Sequence, residues 1–234
     1  MTSLLETKEL TKNYLGKQAL CAVDVHLESG RILGLMGPNG SGKTTFLKIL
    51  ASLIRPSSGS FSVCGASRGP EVKGLVSFLP DRNTLYPWMR AIDAIAFYDD
   101  FFADFNRAKA LEMLAFMKLE QSERVASMSK GMIEKLNLTL AFSREAKLFL
   151  LDEPLGGIDP VARERIVSTI IRTWSENSSI IISTHLVNDV ERLFNDVAFL
   201  DKGRILLSGD AESLRAERGT SIDRLYIDIF GDRN

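Results

Sequence analysis

Apolar positions in this chain come in short bursts separated by glycine, proline and serine. Val23-Asp24-Val25-His26-Leu27 alternates with period two, the pattern of a half-buried strand. Ser29-Gly30 makes a turn, residues 31–36 read as the next strand, and residues 44–52 read as a helix. Residues 61–64 and 75–79 are further strands. Between about residues 89 and 125 no strand pattern exists. Ile92, Ile95 and Ala96, then Leu111, Leu114 and Ala115, recur at helical spacing, with Asn106 as the N-cap of the second helix. Ile133, Leu136 and Leu140 mark another helix. Residues 148–151 are a buried strand, 160–174 a helix, 180–183 a strand and 186–194 a helix. Residues 197–200 and 205–207 form a hairpin around Asp201-Lys202-Gly203-Arg204. The stretch after residue 217 is weakly specified. The alternation predicts an α/β fold with an all-helical insertion.

Composition narrows the class. The chain has 234 residues, 45% hydrophobic and 25% charged, which excludes global disorder. A monomer of this mass exposes roughly 10,500 Å² folded against about 38,000 Å² unfolded, so no disulfide or structural metal is needed. A net charge of -1 argues against electrostatic binding of nucleic acid. Cys21 and Cys64 are far apart without metal-ligand spacing, as in a reduced, cytosolic chain. The apolar runs 148–151 and 180–182 fall far short of the roughly 18 residues of a membrane span. Residues 1–8 lack the pattern of a signal peptide. Any membrane role therefore comes through a partner.

Gly37-Pro38-Asn39-Gly40-Ser41-Gly42-Lys43-Thr44 matches a phosphate-binding loop, after a buried strand and before a helix. Glycines let backbone N–H groups turn inward around phosphate oxygens, and the helix N-terminus adds free donors. Lys43 is placed to reach the β- and γ-phosphates of ATP, and the Thr44 hydroxyl to ligate Mg²⁺. Thr45 follows in the same turn. Residues 148–151 end in Asp152-Glu153, where a parallel sheet gathers ligands. Asp152 is placed to hold Mg²⁺ and Glu153 to polarise a water for attack on the γ-phosphate.

With these motifs in place, the chain resembles the nucleotide-binding subunits of ABC (ATP-binding cassette) transporters over about residues 4–210. Met128-Ser129-Lys130-Gly131-Met132 resembles their signature motif, Gly156-Gly157-Ile158-Asp159 their D-loop and Ser183-Thr184-His185 their H-loop. Tyr14 resembles the aromatic that stacks on adenine. The resemblance implies a P-loop NTPase core with a mainly parallel sheet, an N-terminal antiparallel β portion and a helical subdomain. The implied divisions are residues 1–86 and 129–217 for the core, 87–128 for the helical subdomain and 218–234 for a tail. It further implies that Ser129 and Gly131 close on nucleotide held by the opposite subunit. Asp159 would link the two sites, and His185 would hydrogen-bond the γ-phosphate.

Three positions depart from the family pattern. Lys130 and Met132 replace a glycine and a glutamine of the signature. Asp81 stands where the family has a glutamine, and either contacts Mg²⁺ or only relays movement. These departures resemble exporter-type cassettes of the YtrB-like subgroup. In Leu85-Tyr86-Pro87-Trp88-Met89 the aromatics either line a groove for a membrane subunit or pack the helical subdomain.

The implied function is ATP hydrolysis coupled to transport. The implied partners are a second ABC subunit and integral membrane subunits, without nucleic acid, at the inner face of the cell membrane. A soluble ABC ATPase acting on ribosomes or DNA fits less well, because the chain has one cassette, a short helical insertion and no basic stripe. A small-molecule P-loop kinase would not need the signature-like and His185 motifs.

Overall fold

A computed structural model describes residues 3–67 and 69–231. In chain order the elements are β1 (Ser3–Tyr14), β2 (Lys17–Glu28), β3 (Ile32–Met36), α1 (Lys43–Leu50) and β4 (Ser58–Val63). Next come α2 (Gly69–Leu75), β5 (Val76–Leu79), α3 (Ala91–Phe101), α4 (Arg107–Phe116) and α5 (Lys130–Phe142). The second half runs β6 (Leu148–Asp152), α6 (Pro160–Thr173), β7 (Ser179–Thr184), β8 (Asp196–Asp201), β9 (Arg204–Asp210), α7 (Ala211–Arg218) and α8 (Ile222–Phe230).

Two sheets result. β2-β1-β4 is antiparallel, and the six-stranded sheet has the order β5-β6-β7-β3-β8-β9. Five of its strands are parallel; only β9 runs against its neighbour β8. Side chains alternate across a strand, so a sheet covered on both faces must be apolar on both. Leu33 and Leu35 of β3 and Leu148 and Leu150 of β6 join the core shared with α1 and the antiparallel sheet. Ile32, Met36, Phe149 and Leu151, one residue out of phase, join the core on the opposite face, shared with α5 and α6. This double burial explains why these strands read as continuous apolar runs.

Helices α3 and α4 are tied back to the parallel sheet by Arg144. Its guanidinium pairs with Asp104, donates to the carbonyls of Val76 and Lys73, and lies 4.1 Å from the Phe102 ring centroid. Asn106 caps α4 by accepting from Lys109 N at 3.0 Å, as its position predicts.

Three sequence readings need correction or extension. The helix expected over residues 186–194 is two short 3₁₀ turns, Val187–Asp189 and Glu191–Leu193. Here the side chains hold non-helical partners: Asp189 pairs with Arg163, and Glu191 accepts from Asp223 N. The stretch after residue 217 is better specified than its periodicity suggested. Gly219, at φ 63, ends α7; Ser221 caps α8, which buries Ile222, Leu225 and Phe230. Residues 232–234 of the expected tail lie outside the described residues. The alternation of β1 is hidden because register shifts at Ser3/Leu5 and Thr7/Leu10, with Glu9 at φ 48, break its period.

Candidate nucleotide-binding site

The loop of residues 37–44 joins β3 to α1 at the carboxyl end of the parallel strands. Local geometry requires its glycines. A Cβ on Gly37 would lie 2.1 Å from the Leu200 carbonyl oxygen, and Gly42 sits at φ 117 against Ala19 O. Ser41 N donates to Pro38 O at 3.2 Å, which closes the turn, and Ser41 Oγ is buried without a partner. Lys43 is buried, and its Nζ donates to the carbonyls of Gly37 and Pro38 at 2.6 and 3.3 Å.

Strand order brings the other groups to this loop. β7 lies between β6 and β3, so Asp152-Glu153 and Ser183-Thr184-His185 emerge side by side. Ser183 Oγ donates to Asp152 Oδ1 at 2.6 Å and accepts from Glu153 N at 3.1 Å. Asp152 is fully buried, and its Oδ2 has no hydrogen-bond partner. Burial pushes the Asp152 carboxyl above the usual range; the Ser183 and Thr44 hydroxyls oppose the shift, and the charges of Asp81 and Glu153 reinforce it.

Glu153 adopts φ 51, an uncommon conformation for a non-glycine residue. Its Oε2 lies 2.8 Å from His185 Nδ1, and its Oε1 lies 3.2 Å from Lys43 Nζ. The second contact is an ion pair by distance without an aligned hydrogen bond, because Oε1 has no hydrogen-bond partner.

Gly42, Lys43 and Glu153 line a cleft of about 360 Å³ together with Tyr14, Asn39, Gly40, Thr44, Thr45 and Asp81, and Asp152 and His185 stand behind this lining. Tyr14 is 47% exposed, with Lys12 Nζ 5.2 Å from its ring centroid, so its other ring face is open to a flat ligand. Ser183 and Lys17 also belong to this neighbourhood, although the sequence reading assigned neither a role. In the sequence Ser183 is the first residue of the H-loop-like motif, but the role there fell to His185.

Ser129, Gly131 and Asp159 do not line the cleft. They gather elsewhere on the same chain. Ser129 caps α5 by accepting from Met132 N, and Asp159 caps α6 by accepting from Ala162 N. A Cβ on Gly131 would lie 3.5 Å from Asp159 Oδ2 and 3.2 Å from Ile158 Cγ2. Met132 packs against the large core, so the glutamine-to-methionine departure replaces a polar contact with apolar packing. Tyr86 and Trp88 are exposed and stack on each other at 5.8 Å, which removes the reading that they pack the helical core.

A larger cleft of about 500 Å³ lies between the antiparallel sheet and β8–β9. It offers a poorer set of groups: Asp196 and Asp210 are held by Arg31, and Asp24 accepts from Glu9 N. His26 is exposed on β2, lines this second cleft and lies with its Nδ1 3.4 Å from Ser3 Oγ.

The family model described as "ABC transporter" matches residues 20–156. The chain is 30% identical to the ABC transporter ATP-binding protein YtrB of Bacillus subtilis, over 92% of this chain and 74% of that one. It is 30% identical to the Nod factor export ATP-binding protein I of Cupriavidus metallidurans, over 99% of this chain and 78% of that one. Among solved structures, an ATP-binding subunit of an ABC transporter superposes with a TM-score of 0.86 at 27% identity, covering 96% of this chain and 98% of that one. A dimeric ATP-binding cassette bound to ADP and Pi shares the fold, with a TM-score of 0.79 at 21% identity over 88% of this chain and 98% of that one. With a phosphate loop and an acidic strand end at one cleft, a histidine in contact with Glu153, and these relatives, the chain belongs to the ABC transporter family as an ATP-binding, ATP-hydrolysing subunit.

Proposed function

We propose that this chain pairs with a second ABC subunit, identical or different, clasps ATP·Mg²⁺ between the two, and drives integral membrane subunits by closing and reopening. The observation that carries this reading is the split arrangement of the motifs. The cleft beside Tyr14 is lined by the phosphate loop, Asp81 and Glu153, with His185 behind Glu153 at 2.8 Å and Asp152 next to it in the chain, whereas Ser129, Gly131 and Asp159 lie together outside it. Such a surface suits nucleotide bound by another copy, and the dimeric cassette of the same fold supports that reading.

The roles follow from the groups. Tyr14 stacks on the base. The backbone N–H groups of residues 37–45 cradle the phosphates at the start of α1. Lys43 exchanges its carbonyl partners for β- and γ-phosphate oxygens. Glu153 accepts the proton of the attacking water at a carboxylate oxygen, while His185 orients that carboxylate and donates toward the γ-phosphate. Ser129 and Gly131 of the second subunit cap the γ-phosphate, and Asp159 links the two sites. The differential affinity of the closed and open states for ATP moves the partner.

The residues fit Mg²⁺. Asp152 has an orphaned buried oxygen beside Thr44, and the charge of Asp81 reaches it. Among the described residues no three acidic, His or Cys side chains form an all-protein metal cage. This agrees with an ion that takes one or two carboxylates and completes its shell with water and phosphate. Thr44 and Asp152 would hold it, with Asp81 acting through water. When bound, Mg²⁺ would supply positive charge that offsets the negative charge developing on the polyphosphate.

The name of one relative, the Nod factor export ATP-binding protein I, supports an exporter-type cassette, and the net charge of -1 speaks against nucleic acid as a partner. Tyr86 and Trp88 would line the groove that receives a membrane subunit. Residues 87–128 would move as a helical unit against a core of residues 1–86 and 129–217, with residues 218–234 beyond it. No described helix is long and apolar enough to cross a membrane. The chain would therefore sit in the cytoplasm, at the inner membrane face, through its partners. Sedimentation of the Glu153→Gln variant tests the reading: ATP·Mg²⁺ should convert monomer to dimer. A persistent monomer, alone and with the membrane partner, would overturn it.

A further inference from the structure

Arg163 makes contacts that the proposed hydrolysis does not use. It stands in the first turn of α6, just after the Asp159 cap. One terminal nitrogen lies 2.6 Å from Asp189 Oδ2, and the other donates to the Ile158 carbonyl at 3.1 Å. Its Nε is buried and has no partner. A buried unpaired donor carries a free-energy cost, which the two contacts of the terminal nitrogens offset in a side chain that is a quarter exposed.

The ends of this tie differ in kind. Ile158 is buried, immediately precedes Asp159 and packs beside Gly131, so it underlies the cluster whose exposed members, Ser129 and Asp159, face outward. Asp189 closes the 3₁₀ turn Val187–Asp189, which begins two residues after His185. A single 3₁₀ turn has poor internal hydrogen bonding and depends on outside contacts for its position. On one flank those contacts come from α8, which packs against this turn, and from the Glu191–Asp223 bond. Towards the outward-facing cluster the contact is Arg163.

We infer that Arg163 is a positioning residue that yokes the Ile158–Asp159 loop to the His185 segment, so that the 2.8 Å contact between His185 and Glu153 depends on where that loop sits. The inference rests on the proposed roles of Glu153, His185 and Asp159. A second subunit that presses on the loop would thereby adjust the hydrolytic pair of the first. Arg163 touches neither nucleotide nor the attacking water in this scheme. Its loss should lower turnover and leave nucleotide affinity alone.

The test uses the purified full chain and ATPase kinetics, single-turnover where rates are low. Arg163→Ala and Asp189→Asn should each lower kcat by about 10- to 100-fold, the range expected for misplacement of a catalytic group, with KM for ATP and Tm nearly unchanged. In a His185→Ala background, Arg163→Ala should add no further loss. Asp189→Asn leaves α6 untouched, so it carries the test even if Arg163→Ala disturbs folding. Losses that multiply in the double variant, or that follow a fall in Tm in both single variants, would overturn the inference. Wild-type kcat in Arg163→Ala beside an inactive Glu153→Gln would overturn it alone, whereas wild-type kcat in Glu153→Gln would take down the site reading beneath it.

Discussion

His185 Nδ1 lies 2.8 Å from Glu153 Oε2 although the two residues stand on different loops after neighbouring parallel strands. The other oxygen of the same carboxylate lies 3.2 Å from Lys43 Nζ, so Glu153 joins the histidine loop to the phosphate loop. Glu153→Gln keeps the shape of the side chain and removes the proton acceptor. ATP turnover should fall by about 10²- to 10⁴-fold, the usual worth of a general base. Equilibrium nucleotide binding should persist. Phosphate release near the wild-type rate would exclude Glu153 as the base.

Burial pushes the Glu134 carboxyl on α5 up to about 8 from its ordinary 4.5, against the opposing charge of Lys130. The folded chain thus holds this proton more tightly than the unfolded chain. The resulting stability is fully present below about pH 4.5, declines as pH rises towards 8, and is lost above that. Glu134→Gln should raise Tm at pH 8.5 and leave it unchanged at pH 4. In a chain of this size each kcal/mol gained appears as about 2–4 °C. A difference in Tm that is the same at both pH values would reject this account.

Arg144 is 5% exposed and joins Asp104, two backbone carbonyls and the Phe102 ring. Arg144→Ala would strand the Asp104 carboxylate and both carbonyls, at a cost of about 3–5 kcal/mol by comparison with other broken buried pairs. Urea denaturation measures this directly. A loss below about 1 kcal/mol would mean that water replaces the guanidinium at little cost.

Trp88 is 66% exposed and stacks on Tyr86. Trp88→Ala should change stability by no more than about 0.5 kcal/mol, as surface substitutions usually do. ATP affinity should hold, while copurification with the membrane subunit and its stimulation of the ATPase should fall. Lost ATP affinity with intact partner binding would contradict the docking role.

The motifs were legible where their physics is local. A strand, a glycine turn and a helix start within residues 31–52 define the phosphate loop without reference to the rest of the chain. The same holds for the apolar run that delivers Asp152 and Glu153, and for the cap Asn106, which satisfies its own helix; the caps Ser129 and Asp159 came to light only in the structure. Failures occurred where distant contacts outweigh periodicity. Residues 186–194 have a helical pattern, yet Arg163 and Asp223 claim their acidic groups and split the segment into two turns. The bulged β1 lost its alternation to register shifts at Ser3/Leu5 and Thr7/Leu10, with Glu9 at φ 48.

By itself, then, the chain determined its α/β alternation, its phosphate-loop motif and the acidic end of its apolar strand, because residue type and short-range spacing control those features; the roles of Tyr14, Ser129, Gly131, Asp159 and His185 came from the family resemblance. Only tertiary structure decided that Glu153 faces both His185 and Lys43, that Ser183 buttresses Asp152, and that Ser129, Gly131 and Asp159 stand apart from the cleft. Those relations depend on the strand order β6-β7-β3, which brings residues more than a hundred positions apart into contact. Linear spacing carries no record of which strand lies beside which, since that follows from how the two apolar faces of the sheet are covered.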